Sequence, residues 1–249
     1  MAVERRVVLG GLLTIVPALC CSRHAFAETS GGGCWVPGGS AAPYFASVQG
    51  QVSRFETGSE KLEPRSGNPD LDYALAQALA NLSELFGVLP GFCYYDDSGS
   101  PNALATSDQL LDRTDGTVMM GLSFLGELLR MPERPDASIV AVCAHEFGHI
   151  VSYKTGLINQ LKGGGGVFRS EQFADYMAGY FAGTRKLLRP DYPAVVFAST
   201  QNYFGGGDHG SSSQRGEAVQ AGFMAAYQGK LGMQDATQAG LQFCLGRSL

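Results

Sequence analysis

The sequence contains no block of five like charges, and the 249-residue chain has a formal net charge of −5. Nucleic acid and anionic membrane surfaces both require a basic patch on the protein, so these partners are excluded. The chain also has no C-x-x-C pair, which argues against a zinc site built from thiolates and against a thioredoxin-type redox motif. With 45% hydrophobic and 16% charged residues, the composition is that of an ordinary globular protein.

The first 27 residues have the pattern of a cleavable export signal. The arginine pair Arg5-Arg6 is followed by apolar residues 7–21 and by the small-residue cleavage site Ala25-Phe26-Ala27. Because the apolar stretch is shorter than the roughly 20 residues that span a bilayer, we predict cleavage after Ala27 and no membrane span in the mature chain. The protein is then periplasmic or secreted, and a lipid anchor on Cys20 or Cys21 is the minor alternative.

Residues 28–67 are rich in glycine, serine and proline, whereas residues 68–249 carry the periodic patterns of a folded domain. Asn68 and Pro69 begin an amphipathic helix that Gly87 ends. Short strands are predicted at residues 92–95, 102–105 and 116–120, and further helices at 122–131 and from Asp136 toward Gly156. We therefore expect an α+β fold that is mainly helical and has a small sheet.

The long helix that starts near Asp136 contains an H-E-x-x-H motif, His145-Glu146-Phe147-Gly148-His149. Residues four apart on a helix differ by about 40° in direction, so both imidazoles can reach one metal ion. Glu146 lies about 100° from His145, where its carboxylate can reach a water molecule beside the metal. The motif predicts a zinc site with two histidine ligands and Glu146 as the general base.

A catalytic zinc ion needs a third protein ligand, and the chain lacks the H-x-x-G-x-x-H continuation that characterises metzincins. A second predicted helix, capped by Ser170, instead places Glu171 and Asp175 on one face. Glu171 can bind the metal, and Asp175 can accept a ring N–H from a ligand histidine and fix its tautomer. The alternative is that both acidic residues only complement the dipole of this helix.

Four cysteines follow residue 27, namely Cys34, Cys93, Cys143 and Cys244. In an oxidising compartment an even number of cysteines permits two disulfides, with three possible connectivities. Cys143 lies two positions before His145 on the same predicted helix, so its side chain points about 200° away from the ligands. We predict that Cys143 is a core residue.

H-E-x-x-H followed by E-x-x-A-D resembles the gluzincin family of the CAAX prenyl-protein endopeptidases and their soluble periplasmic relatives. Asn102-Ala103-Leu104-Ala105 is similar to the N-A-F/L-A edge strand of this family, and it is followed by a similar G-x-V segment. His209 and Arg215 match its H-P-x-x-x-x-R, with Gly210 in place of the proline. The resemblance covers residues 71–227. Membrane members of the family carry transmembrane helices that this chain lacks, so their prenyl-protein substrates are not implied.

The resemblance implies a zincin-like metalloprotease domain with one zinc ion and an edge strand beside the active-site helix. We expect this strand, residues 102–105, to be exposed and to bind the backbone of a polypeptide substrate. His209 and Arg215 are candidate donors to the oxyanion that develops during peptide hydrolysis. As alternatives, His209 can bind zinc in the resting enzyme, and Arg215 can pair with Asp175 or Asp208.

Two other functions are compatible with the same residues. A zinc-bearing, chaperone-like module could bind misfolded exported chains without cutting them, although an intact Glu146 argues against an inactive site. A zinc esterase or amidase could use the same ligands, and activity on peptide and ester substrates would separate it from a peptidase.

Overall fold

The structure is a computed structural model that describes residues 35–36, 66, 68–97, 101–163, 167–203 and 206–246. The predicted signal segment, residues 1–27, lies outside the described residues. The same holds for Cys34 and for most of the predicted glycine-, serine- and proline-rich segment 28–67.

Helices make up most of the described chain and accompany a small mixed sheet, so the predicted α+β class is confirmed. None of the helices in the described ranges has the length and apolar character needed to cross a bilayer. The strands are β1 (Trp35–Val36), β2 (Gly91–Tyr95), β3 (Ala103–Thr106) and β4 (Thr117–Gly121). The helices are α1 (Pro69–Phe86), α2 (Leu122–Leu129), α3 (Pro135–Lys154), α4 (Ile158–Lys162), α5 (Phe168–Leu188), α6 (Val195–Tyr203), α7 (Ser212–Tyr227) and α8 (Met233–Leu245), with a 3₁₀ turn at Gly207–His209.

Helix α1 has the boundaries that its local sequence predicts. The Asn68 side chain accepts hydrogen bonds from the backbone N–H groups of Asp70 and Leu71, both at 3.1 Å, and Pro69 occupies the first turn. At the other end Gly87 has a φ of 62°, a left-handed conformation that glycine adopts without strain. Both ends of this helix are thus determined by a few neighbouring residues.

The sheet has the strand order β1-β3-β4-β2, in which β4 pairs with β2 in parallel and with β3 in antiparallel orientation. Strand β1 pairs in parallel with the outer edge of β3, with Trp35 opposite Ala105 and Val36 opposite Thr106. All four residues of β3 are buried. The prediction of an exposed strand at residues 102–105 is therefore wrong, because β3 packs against α3 and β1 covers its outer edge.

Helices α3, α5 and α7 pack closely because small residues lie at their contacts. A Cβ atom on Gly148 of α3 would lie 2.8 Å from the Cα of Ala174 on α5. On α5, a Cβ on Gly179 would overlap the backbone of α7, and on α7 a Cβ on Gly222 would overlap the carbonyl oxygen of Tyr176. These contacts set the distances between the three helices, which carry or adjoin most of the predicted site residues.

The close approach of α5 and α7 predicts a large effect of one methyl group. Gly222→Ala should lower the free energy of unfolding by about 3 kcal/mol, because the added atom meets rigid backbone. Gly126→Ala is the matched control, since a Cβ there meets nothing closer than 3.6 Å and alanine favours the interior of α2. Urea unfolding measures both variants, and equal stability of the two would contradict this packing.

Two predicted helix starts are wrong by two or three residues. Ser170 is predicted to cap the second ligand helix, but α5 begins at Phe168 without a side-chain cap, and Ser170 is buried inside its first turn. Asp136 is predicted to cap the H-E-x-x-H helix, but α3 begins at Pro135. Asp136 instead forms an exposed ion pair with Arg134, with 2.9 Å between the two charged groups.

Helix α7 starts with a capping box in which Ser211 Oγ accepts from the Gln214 N–H and Gln214 Oε1 accepts from the Ser211 N–H. Helices α4, α6 and α8 have no counterpart among the predicted elements. Helices α6 and α8 pack against α5 and α7, and α6 also contacts α3. These tertiary contacts stabilise the two helices in addition to the helix propensity of their own residues.

The three cysteines in the described part of the chain, Cys93, Cys143 and Cys244, are buried thiols. The two disulfides that an even number of cysteines permits are therefore not formed. Cys143 belongs to the main hydrophobic core, as predicted, and burial raises the pKa of its thiol above the ordinary value.

Candidate metal centre

Three side chains that the sequence predicts as metal ligands converge between α3 and α5. His145 and His149 lie one turn apart on α3, and Glu171 lies in the first turn of α5. All three are buried, with at most 2% of each residue exposed. They form a group that could hold a metal ion.

The two histidine Nε2 atoms and the Glu171 carboxylate form a compact triangle, in which each nitrogen approaches a different oxygen of the carboxylate. The two histidine Nε2 atoms are 3.2 Å apart, and the Glu171 carboxylate oxygens lie 3.3 Å from Nε2 of His145 and 3.4 Å from Nε2 of His149. Ligands about 2.0–2.1 Å from a tetrahedral zinc ion are separated from one another by about 3.3–3.4 Å. The three residues thus lie close enough together for one small ion to contact all of them.

Asp175 determines which nitrogen of His145 faces this triangle. Its Oδ1 lies 2.7 Å from His145 Nδ1. Burial by itself would raise the pKa of Asp175, but Arg215 and His145 lower it below the ordinary value, so the carboxylate is ionised. His145 Nδ1 must then carry the proton and donate it, which leaves the lone pair of Nε2 directed at the centre.

Behind Asp175 lies a buried guanidinium group. Arg215 donates from Nε and Nη2 to the two oxygens of Asp175, both at 2.8 Å. Its Nη2 also donates to Oε1 of Gln201 at 2.7 Å, and Gln201 donates in turn to the carbonyl oxygen of Ala141 at 3.4 Å. His145 is therefore held by a chain of buried polar groups that connects α3, α5, α6 and α7.

The environment of His149 includes two residues whose contacts were not predicted. Ser170 Oγ lies 3.3 Å from His149 Nδ1, on the opposite side of the ring from the Nε2 atom that faces the triangle. The Tyr153 ring stacks on the imidazole, with 6.5 Å between ring centroids. The Tyr153 hydroxyl donates to the carbonyl oxygen of Ala105 at 3.3 Å. Tyr153 thus connects a candidate metal ligand to strand β3.

The protonation states of the group favour metal binding. Burial lowers the pKa of His149 to about 3, although the Glu171 charge acts in the opposite direction. Burial by itself would raise the pKa of Glu171, but His209, His149 and His145 lower it well below the ordinary value. A neutral imidazole and an ionised carboxylate are the forms that bind metals, and both are present at neutral pH.

Glu146, the predicted general base, lies in the same buried region as the ligands. It follows His145 on α3, so its side chain leaves the helix about 100° from that of His145. Glu146 is 1% exposed. Its charge acts together with burial to raise the pKa of Tyr153 well above the ordinary value.

His209 lies beside the third ligand. The 3₁₀ turn places its Nδ1 3.0 Å from Oε2 of Glu171, and a quarter of the side chain is exposed. The next residue, Gly210, has a φ of 92°, which proline cannot adopt because its ring holds φ near −65°. A Cβ at Gly210 would also lie 2.6 Å from Phe168 Cε2. The geometry of this turn therefore accounts for glycine where the resembling family has proline.

The predicted oxyanion role of Arg215 is not supported by its position. Arg215 is 2% exposed, and its Nη2 lies 3.4 Å from His145 Nδ1, the ring nitrogen that points away from the triangle. The structure instead contains the alternative in which Arg215 pairs with Asp175. Arg215 therefore acts on the centre through Asp175 and His145.

The predicted substrate-binding residues lie next to the centre, at and just before strand β3. Ala103, Leu104 and Ala105 belong to β3, which packs against α3 as predicted. Asn102 precedes the strand; its Oδ1 accepts from the Ala103 N–H at 2.9 Å, and its N–H donates to Asp97 at 3.0 Å. Asn102 therefore holds the start of the strand in place.

Ser170, Tyr153 and Gln201 contact the centre or its supporting groups, and the sequence analysis does not assign them to the site. Tyr153 lies four residues after His149, so the helical spacing that predicted the ligands also places Tyr153 on their face of α3. The sequence also indicates that Ser170 lies near the centre, because it directly precedes the candidate ligand Glu171. No sequence pattern predicts the contact of Gln201 with Arg215, since only the packing of α6 brings the two residues together.

Comparison of the chain with protein-family models, with curated proteins and with solved structures finds no match. The resemblance to the gluzincins therefore stays a prediction from the motifs.

Proposed function

We propose that this protein is an exported zinc metallopeptidase that hydrolyses peptide bonds in unfolded or extended polypeptides. The observation that carries the proposal is the buried triangle of His145, His149 and Glu171. The two Nε2 atoms are 3.2 Å apart and lie 3.3 and 3.4 Å from the two oxygens of the Glu171 carboxylate. Glu146 adjoins this triangle in the sequence and is buried with it. Two imidazoles, a carboxylate ligand and a second carboxylate are together the donor set of a catalytic zinc site.

The choice of zinc follows from the ligand chemistry. Calcium and magnesium prefer sites made of oxygen ligands, whereas zinc binds histidine nitrogen and glutamate oxygen at about 2.0–2.2 Å in tetrahedral geometry. Three protein ligands leave one tetrahedral position for water or substrate, which distinguishes a catalytic site from a structural one.

A zincin-like fold of the gluzincin type is part of the same proposal. The supporting observations are that the H-E-x-x-H residues lie on one helix, that the third ligand comes from the first turn of another, and that a small sheet packs beside the first helix. Export is supported by the signal pattern in residues 1–27.

A zinc ion held by these ligands supplies a Lewis acid that polarises the scissile carbonyl and acidifies water. Glu146 takes a proton from the attacking water and delivers it to the leaving amine. Asp175 keeps the proton of His145 on Nδ1, so the Nε2 lone pair stays available. His209 holds an oxygen of Glu171 through Nδ1, and a quarter of its side chain is exposed, which suits a contact with substrate.

Metal analysis and a protease assay test this function together. The chain without residues 1–27 should contain one zinc ion by elemental analysis and should cleave unfolded casein. A chelator should abolish both, and added zinc should restore both. A matched ester substrate should be hydrolysed no faster than the peptide, which separates a peptidase from an esterase. A protein that contains zinc and cleaves no polypeptide would contradict the proposal.

A further inference from the structure

Residues 35–36 of the chain lie on the strand edge that the family resemblance predicts to bind substrate. The β1 backbone pairs with β3 in parallel, with Trp35 opposite Ala105 and Val36 opposite Thr106. Without β1, β3 would be the outermost strand, because its other side pairs with β4. The occupant of this edge is therefore part of the same chain.

The backbone groups that β1 uses can be identified from the alternation of the strand. Just before β3, the Asn102 carbonyl accepts from the Gly121 N–H at 3.0 Å, so it faces β4. Successive residues of a strand direct their N–H and C=O groups to opposite sides. Ala103 and Ala105 therefore face the outer edge, and the register directs the Val36 N–H at the Ala105 carbonyl.

The same carbonyl connects this edge to the metal centre. The Tyr153 hydroxyl donates to the Ala105 oxygen at 3.3 Å, and the Tyr153 ring stacks on His149. An extended segment paired with this edge thus lies beside the face of α3 that carries the candidate ligands. A carbonyl oxygen has two lone pairs, so Ala105 can accept from Tyr153 and from one strand, but not from two strands.

We infer that residues 35–36 compete with substrate for the outer edge of β3 and so reduce substrate binding within the same molecule. The inference rests on the proposed peptidase function for the identity of the competing ligand, an extended polypeptide. One edge of a strand pairs with one partner strand. Substrate therefore binds only the fraction of molecules in which β1 has left, and its apparent affinity is reduced by that fraction.

The variant Val36→Pro removes the N–H group directed at Ala105, and Val36→Ala is the matched control that keeps it. Both are made in the full chain together with Glu146→Gln, so that casein binding is measured without cleavage. Loss of one ladder hydrogen bond changes an equilibrium about fivefold. The dissociation constant for unfolded casein should therefore be about fivefold lower with Val36→Pro than with Val36→Ala.

Hydrogen exchange supplies a readout that does not depend on substrate. The Ala105 amide should exchange faster with Val36→Pro than with Val36→Ala, while amides in the β2–β4 ladder should not change. A synthetic peptide with the sequence of residues 31–40 should compete with casein for the Val36→Pro variant. Equal casein affinity of the two variants would overturn the inference.

The same variants with Glu146 intact separate this inference from the proposed function. Casein cleavage by both at equal KM would leave the peptidase function standing and overturn the competition. Tighter casein binding with Val36→Pro but no cleavage by either variant would leave the competition standing and refute the peptidase. Cleavage by both, with a KM about fivefold lower for Val36→Pro, supports both.

Discussion

Replacing Glu146 with glutamine should lower the rate of casein hydrolysis by about 10² to 10⁴, the usual contribution of a general base. Glutamine keeps the size of the side chain but cannot take the proton of the attacking water. Since Glu146 is not one of the three residues of the metal-binding group, the zinc content should be the same as in the parent. The loss should lie in kcat, with casein affinity nearly unchanged.

Glu127→Gln is the matched control for this substitution, because Glu127 is an exposed residue of α2. It makes the same change of charge outside the centre and should keep the parent rate. If the parent and Glu146→Gln both bind casein tightly and neither cleaves it, the zinc-bearing binding module becomes the better description. A parent-like rate of Glu146→Gln would show that another group takes the proton.

Replacing Arg215 with methionine should lower the free energy of unfolding by about 3–5 kcal/mol, the cost of leaving a buried charge without its partner. Arg215 donates two hydrogen bonds to Asp175, and both residues are buried. Without the guanidinium, the described partner that remains for the Asp175 carboxylate is the His145 ring, at 2.7 Å. The same variant should therefore bind zinc more weakly, by about 10- to 100-fold, because Asp175 no longer holds His145 in place.

The chain contains an exposed pair that serves as a control for this experiment. Arg134 donates to both oxygens of Asp136 at 3.1 and 2.9 Å, with more than half of each side chain exposed. Arg134→Met removes the same kind of bidentate pair at the surface, and urea unfolding should show no measurable change. Adding Asp175→Asn to Arg215→Met removes both buried charges and should recover part of the lost stability. Equal losses for the two arginine variants would contradict the buried chain of contacts.

The ligand positions on α3 are predictable because they depend on a single helix. Four residues make slightly more than one turn, so His145 and His149 share a face wherever this segment is helical. The same local rule accounts for the caps of α1 and α7, where Asn68 and Ser211 bind backbone groups two or three residues ahead. It also explains the two wrong helix starts. Asp136 and Ser170 are residue types that favour the N-cap position, although the helices begin elsewhere.

Contacts between distant segments were less predictable, because they depend on how closely the helices pack. The sequence permits Arg215 either to donate to an oxyanion or to pair with Asp175 or Asp208. In the structure it pairs with Asp175, where α5 and α7 approach each other closely at Gly222. The pairing of residues 35–36 with β3 likewise joins segments that are about 70 residues apart in the chain.

The sequence by itself determined the donor types, their helical spacing and the position of Glu146 beside them, because these follow from residue chemistry and from the geometry of one helix. Only the tertiary structure decided that Glu171 reaches both histidines, that His209 faces Glu171 and that Gln201 supports Arg215. The physical reason is that a separation of 3.3 to 3.4 Å between donors on α3 and α5 depends on the close contact of Gly148 with Ala174. Such a contact depends on the packing of the whole core and not on the spacing of any motif.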